Sequence, residues 1–166
     1  QVRTWNLSSV WRIPVEGQTT WLKVVPSFFA HEGPLLARLA GEHVPRLLGQ
    51  DSCRILLEEI VGEDQHQAEL PLLQAMVTLL VDLQAGWTSR VGELLALGLP
   101  DWRASPLTAL ITEVIDRTAE ELSAEDNATP GAFASALAER FAGGPACGVA
   151  HTHAPGRFGP GKVRCG

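Results

Sequence analysis

The apolar residues of this chain change their spacing between residues 60 and 70, and this change restricts the fold more than any other feature. Before it, short apolar runs rich in β-branched residues, such as TTWLKVV at 19–25, are separated by turn residues. After it, apolar residues recur every three or four positions. The first pattern is typical of strands and the second of helices. We therefore predict an α+β fold with a β-rich lobe at 1–62 and a helical lobe at 63–166.

The β-rich lobe is predicted to contain two strand pairs with one helix between them. Ser27 is a suitable N-cap for that helix, and Gly33-Pro34 should kink or restart it because proline lacks the amide donor. The segment Trp5–Ser9 is a predicted bend before the first strand. The predicted elements are strands at 10–15 and 19–25 around a turn at 16–18, a helix at 28–40, and strands at 45–48 and 53–60 around a turn at 49–51.

The helical lobe begins with a long apolar pattern from Pro71 to Trp87, which predicts a helix buried on most sides. Three further helices are expected, and beyond Gly143-Gly144 the periodicity ends. These helices are predicted at 90–97, 106–122 and 132–142.

Lys23 is one of only two lysines in the chain, and it lies within the apolar run at 19–25. On a strand, Trp21, Lys23 and Val25 would share one face. An ammonium at mid-strand is costly to desolvate, so it requires an anionic partner. Glu32 is one candidate and a bound phosphate is another. The alternative is an edge strand on which Lys23 reaches solvent.

Composition limits the classes of binding partner and the cellular compartment that we expect for this chain. The 166 residues carry a net charge of −6 with no basic block, so neither nucleic acid nor an anionic membrane is an expected partner. No apolar run approaches the ~20 residues that span a bilayer, and no signal-peptide pattern opens the chain. Three widely spaced cysteines favour reduced thiols. We therefore predict a cytoplasmic protein.

Three segments together resemble the aminoglycoside phosphotransferase family. They are VRTWNLSSVWRIPVEGQTTWLKVVPSFFAHE at 2–32, LLEEIVGED at 56–64 and LGLPDWR at 97–103. The resemblance implies a protein-kinase-like fold, with an antiparallel-sheet N-lobe that binds the nucleotide and a helical C-lobe that is incomplete here. The chain is accordingly expected to be an excerpt of a longer protein.

The resemblance also assigns roles to particular residues. Lys23 would bind the ATP phosphates and Glu32 would orient it, as a point charge on a strand can neutralise phosphate oxygens. Ser8 and Ser9 fall in the loop that lies over the nucleotide, where short side chains let backbone N–H groups approach phosphate. The inter-lobe hinge, whose backbone would bind adenine, falls on Glu58-Glu59-Ile60. The alternative for these glutamates is a solvated strand end.

The catalytic loop is the place where this sequence departs from the family. The family pattern is His-Gly-Asp-Phe-His-Pro-Gly-Asn, and residues 155–162 read PGRFGPGK. Arg157 replaces the Asp that accepts the substrate proton, and Lys162 replaces the Asn that holds magnesium. A guanidinium cannot accept a proton, and an ammonium has no lone pair for a metal. No catalytic or metal-binding residue of that loop is therefore carried over.

The expected function is ATP-dependent phosphoryl transfer to a hydroxyl group of a small molecule, with the transfer step impaired. ATP is the implied cofactor, and Mg²⁺ is implied by the family although its ligands are replaced here. The alternative is a nucleotide-binding pseudokinase or an inactive fragment. Because the helical lobe is incomplete, its apolar helices at 72–87 and 107–122 are expected to be uncovered and to drive self-association.

Two further patterns occur in the last segment. Residues 156–162 satisfy G-x-x-x-x-G-K, but Val163 stands in the Ser/Thr position and no strand precedes the loop. Cysteine and imidazole groups suit zinc, yet the spacing C-x₃-H-x-H-x₁₁-C is not a usual structural-zinc pattern. The four zinc candidates, which would make the chain a zinc-binding interaction module, are Cys147, His151, His153 and Cys165.

Overall fold

The computed structural model describes residues 3–5, 7–121, 123–146, 151–152 and 164–165. The described residues fall into two compact units, one ending at Leu99 and joined by 164–165, the other running from Pro100 to Thr152. The predicted boundary at residue 62 lies inside the first unit, and the division into two lobes stays a prediction. The α+β class is confirmed, because an antiparallel sheet and helices are both present.

Five antiparallel strands form the sheet of the first unit, in the order β1-β2-β3-β5-β4. The tight turn between β2 and β3 has positive φ at Glu16 and Gly17, as a two-residue hairpin turn requires. A second turn is closed by Asp51, whose carboxylate accepts the N–H groups of Cys53 and Arg54. The strands are β1 Arg3–Trp5, β2 Ser8–Val15, β3 Gln18–Val24, β4 Leu47–Gln50 and β5 Arg54–Glu58.

Between β3 and β4 the chain forms one helix that is shorter than predicted. Ser27–Phe29 is a 3₁₀ turn, and α1 extends only over Glu32–Arg38. The N-cap of the turn is Pro26 and that of α1 is His31, so the predicted N-cap role of Ser27 is wrong. Pro34 explains where α1 begins, since proline fits the first turn of a helix but not its interior.

Two helices follow in the first unit, α2 at Leu70–Trp87 and α3 at Val91–Ala96, joined by a 3₁₀ turn. The prediction that α2 is buried on most sides is wrong. Only Met76 and Trp87 are buried, and more than half of Leu70, Val77 and Val81 is exposed.

The span Leu70–Ala96 is also long and apolar enough to cross a membrane by the criteria of length and composition, with a mean hydropathy of 1.3 over its best window. The expectation that no apolar run is long enough to span a bilayer is therefore corrected. Core helices of soluble proteins meet the same two criteria, so the finding does not assign the chain to a membrane.

The second unit contains two longer helices, α4 at Ala104–Thr118 and α5 at Ala124–Ala146. Among the side chains of α5 that the structure describes, the buried apolar one is Leu137. Helix α5 begins eight residues before the predicted start at 132 and continues through Gly143-Gly144, so the predicted stop there is wrong. In the first unit, β6 at Glu63–Asp64 pairs antiparallel with β7 at Arg164–Cys165.

Trp87 is the centre of the helical core of the first unit and is 1% exposed. Its indole N–H donates to Glu42 at 3.2 Å, so the buried polar atom is satisfied. The guanidinium groups of Arg38 and Arg90 lie 5.3 and 3.8 Å from the ring centroid, and both donate to the carboxylate of Glu93. Apolar packing is supplied by Leu39 and Leu94 with Leu35, Val44, Leu83 and Leu99.

Replacing Trp87 with alanine should lower the free energy of unfolding by about 3–5 kcal/mol, because it removes a buried indole and leaves a cavity. Urea denaturation followed by circular dichroism measures the loss. Trp102→Ala is the matched control, since Trp102 is 63% exposed, and its effect should stay within about 0.5 kcal/mol. Equal losses for the two variants would contradict the assigned core.

The self-association predicted from the sequence can be tested on α2. Val77 and Val81 are one helical turn apart and both are mostly exposed. Replacing both with glutamine should reduce the apparent mass in light scattering if this face associates. A wild-type chain that is monomeric at high concentration would contradict the prediction.

Candidate functional site

Lys23 lies on β3, the central strand of the sheet, with β2 on one side and β5 on the other. The register places it beside Val10 and Ile55, and Ile55 is almost fully buried. The edge-strand alternative for Lys23 is therefore wrong. A cation at this position cannot reach solvent along a free strand edge, so it requires a partner close by.

That partner is Glu32, the first residue of α1. The Nζ atom of Lys23 donates a hydrogen bond to Oε1 of Glu32. The two side chains are 28% and 29% exposed, so the ion pair is mostly buried but still partly accessible to solvent. The candidate partner named from the sequence is thus in place, and it connects the middle of the sheet to the start of the helix.

A second ion pair lies on the same face of the sheet. Register pairs Val10 with Lys23 and Arg12 with Trp21, so these four side chains project to one side of the sheet. Nη2 of Arg12 donates to both carboxylate oxygens of Glu59, at 3.1 and 3.3 Å. Sequence reasoning missed Arg12, because its partner is 47 residues away and only the strand register brings them together.

Ser8 and Ser9 are not in a loop, as predicted, but are the first two residues of β2. They pair with Trp5 and Thr4 across the turn at Leu7. Alternation places Ser8 on the face that carries Lys23, whereas the Ser9 hydroxyl lies 3.0 Å from that of Thr4. The role assigned to these serines stays a prediction, now for residues at a strand end next to a turn.

Of the three hinge residues, Glu58 is the last residue of β5, and Glu59 and Ile60 follow it. Glu58 accepts two hydrogen bonds from Arg46, and these hold the pKa of its carboxyl below the usual value. The register of Glu58 with Thr20 puts it on the face opposite Lys23. Glu59 accepts hydrogen bonds from Arg12, which projects from the same face of the sheet as Lys23. The predicted contact of adenine with the backbone of Glu58–Ile60 stays a prediction.

Asp101 and Arg103, from the LGLPDWR segment, form a local ion pair in the second unit. The Asp101 carboxylate accepts hydrogen bonds from the Arg103 guanidinium and backbone N–H. These contacts lower the pKa of Asp101 to about 2. The pair is two residues apart and closes the turn that precedes α4.

The replaced loop positions Arg157 and Lys162 lie outside the described residues, as do Cys147 and His153 of the zinc hypothesis. His151 and Cys165 are described. Over the described ranges there is no group of three or more histidine, cysteine or carboxylate side chains arranged to hold a metal. Magnesium and zinc sites therefore stay hypotheses from the sequence.

Comparison with known proteins leaves the family untested. The chain matches no protein-family model, no curated protein and no solved structure. Any functional conclusion therefore depends on the residues themselves and on the arrangement of Lys23 and Glu32 in the first unit.

A double-mutant cycle should show that Lys23 and Glu32 are coupled. We expect Lys23→Met and Glu32→Gln to give a coupling energy of about 1 kcal/mol, because the pair is partly shielded from water. Chemical denaturation of the wild type, both single variants and the double variant measures it. Arg46→Met with Glu58→Gln is the comparison cycle, and this more exposed pair should show a smaller coupling than Lys23 with Glu32. Additive effects for Lys23 and Glu32 would contradict the assignment.

Proposed function

We propose that the chain is an aminoglycoside phosphotransferase-like, ATP-dependent small-molecule kinase with a protein-kinase-like fold, impaired in the transfer step. The observation that carries this proposal is the ion pair between Lys23 on β3 and Glu32 on the following helix. In protein kinases a lysine on the third strand pairs with a glutamate of the next helix, and both must be in place for phosphoryl transfer. Here the same two residue types occupy the same two elements.

The chemistry of the pair fits a phosphate ligand. Lysine presents a compact charge with three donors, which suits the oxygens of a triphosphate. Glu32 holds the ammonium in place, and the partial exposure of the pair leaves access for an anion. Trp21, two residues before Lys23 on the same face, offers an aromatic surface of the kind on which bases stack.

The proposed transfer would use Mg²⁺ bound with ATP and would move the γ-phosphoryl group in line to a substrate hydroxyl. This chain brings to that step a cation for the phosphates, but residues 155–162 bring Arg157 and Lys162 where a base and a metal ligand are needed. Loss of a general base alone lowers rates by roughly 10²–10⁴-fold. The proposed enzyme is therefore slow, and its acceptor is a small molecule that bears a hydroxyl group.

A nucleotide-binding pseudokinase is the second candidate, and the specific observation that favours it is the presence of those two cations in the loop sequence. The two candidates differ in turnover alone. Both require the Lys23 site, and both are consistent with the predicted cytoplasmic location. Slow release of ADP from MgATP in the presence of an aminoglycoside supports the kinase, and binding without release supports the pseudokinase.

Nucleotide binding itself is tested by thermal stabilisation. MgATP at 100 times its Kd should stabilise the wild-type chain by about 2.7 kcal/mol, because only the folded state binds it. Lys23→Met should lose most of this stabilisation, since methionine keeps the bulk of the side chain but not the charge. Differential scanning fluorimetry with increasing MgATP measures both.

Arg46→Met is the control, because Arg46 is a cation near the same strands whose partner Glu58 lies on the opposite face. It should keep the full response to MgATP. A wild-type chain that does not respond, or a Lys23→Met variant that responds fully, would rule out the proposed function.

A further inference from the structure

Helix α1 has an ion pair at each of its two ends. The helix spans only Glu32–Arg38, and isolated helices shorter than ~12–15 residues are marginal in water, so contacts with other elements must hold it in place. Its first residue, Glu32, pairs with Lys23 on β3. Its last residue, Arg38, pairs with Glu93 on α3. The proposed function uses the first of these pairs and gives no role to the second.

The contact at the Arg38 end involves two other helices. Nε of Arg38 donates to Oε2 of Glu93 at 3.1 Å, and Nη2 lies 3.0 Å from the same oxygen. The guanidinium also lies 5.3 Å from the ring centroid of Trp87, the last residue of α2. Because a planar guanidinium makes oriented contacts with carboxylates and aromatic rings, these groups fix the end of α1 against α2 and α3.

The body of α1 connects the two ion pairs. Glu32 and Arg38 are six positions apart, which corresponds to a rise of ~9 Å and to different sides of the helix. Between them, Leu35 packs against the apolar cluster around Trp87. Since a hydrogen-bonded helix moves as one body, a displacement of α1 at Arg38 would also move the Glu32 carboxylate relative to Lys23.

Arg90 provides a comparison in the same core. Its guanidinium lies closer to the Trp87 ring, at 3.8 Å, and it donates to the Glu93 carboxylate at 2.9 and 3.0 Å. Arg90 belongs, however, to the 3₁₀ turn between α2 and α3, three residues before Glu93. These contacts of Arg90 lie within the segment from α2 to α3, whereas those of Arg38 connect that segment to α1.

We propose that Arg38 is a positioning residue for the ion pair of Lys23 and Glu32. Its contacts with Glu93 and Trp87 hold α1 where that ion pair can form. The side chains of Arg38 and Glu93 are 44% and 46% exposed, and surface pairs of this kind contribute little to global stability. The effect of Arg38 is therefore expected at the Lys23 pair. Its consequence for ligand binding rests on the proposed function, which places phosphates at Lys23.

The experiment repeats the double-mutant cycle of Lys23→Met and Glu32→Gln in two further backgrounds, Arg38→Met and Arg90→Met. In the wild-type background the two changes should be coupled about fivefold in the folding equilibrium constant, measured by chemical denaturation. Arg38→Met should lower this factor to about twofold or less, because the far end of α1 is released. Arg90→Met is the matched control and should keep the full factor, since it removes a cation from the same ring and carboxylate but lies outside α1.

Two further measurements separate positioning from a general structural role. Hydrogen–deuterium exchange should become faster in α1 of Arg38→Met while β2 and β3 keep their protection. Arg38→Lys, which keeps a cation for Glu93, should restore part of the coupling between Lys23 and Glu32. In a titration with MgATP, Arg38→Met should weaken binding about fivefold and Arg90→Met should leave it unchanged.

Equal losses of coupling in the Arg38→Met and Arg90→Met backgrounds would overturn the inference, as would full coupling in Arg38→Met. Faster exchange throughout the first unit, with no preference for α1, would show a general structural role and overturn it too. A wild-type chain that does not respond to MgATP would overturn the proposed function. Coupling that depends on Arg38, which is measured without ligand, would still support the positioning role in that case.

Discussion

The charge of Lys23 on the central strand of the sheet constrains the position of the helix that follows it in the first unit. Lys23 cannot be left without a counter-charge, so an acidic residue must be held above the sheet. Glu32 meets this need because Pro34 starts α1 at that residue. Gly33, between them, is buried, and the amide oxygen of Gln50 on β4 occupies the space that a Cβ atom would need. Glu32, Gly33 and Pro34 thus determine where the helix begins, where its carboxylate lies and how it contacts Gln50.

The helices of the first unit depend on a second electrostatic arrangement, around Trp87. Two guanidinium groups lie over the indole ring and share the Glu93 carboxylate, while Glu42 accepts the indole N–H. Burial of the ring supplies the apolar free energy, and the charges fix the relative positions of α1, α2 and α3. Such an arrangement explains how α2 keeps its place although most of its length is exposed.

Local sequence patterns predicted what depends on neighbours in the chain and failed where distant residues decide. The change of period gave the α+β class, and the hairpin around Glu16-Gly17 has the predicted strands. Ser8 and Ser9 were misassigned because strand pairing, not composition, makes them β. Helix α5 passes through two glycines because helix propensity is a weak constraint. Burial of α2 was overestimated because apolar spacing does not reveal whether a partner is present. Arg12 and Glu59 could not be paired without the register of β2, β3 and β5.

Arginine and lysine have different contacts among the described residues of this chain. Arginines with described partners, such as Arg46, Arg54 and Arg90, make close, oriented contacts with carboxylates in the turns, strand ends and helix ends that they hold. A planar guanidinium suits such fixed pairs, whereas an ammonium on a flexible stem can exchange one oxygen partner for another. Lys23 is the described residue that carries an ammonium, and its pair with Glu32 is partly exposed to solvent. Arginine at this position would keep the charge. Its planar guanidinium, however, suits a paired contact with one anion, and it would not bind an oxygen of Glu32 and an oxygen of a phosphate equally well. A lysine at this strand position is therefore compatible with the proposed phosphate contact beside Glu32.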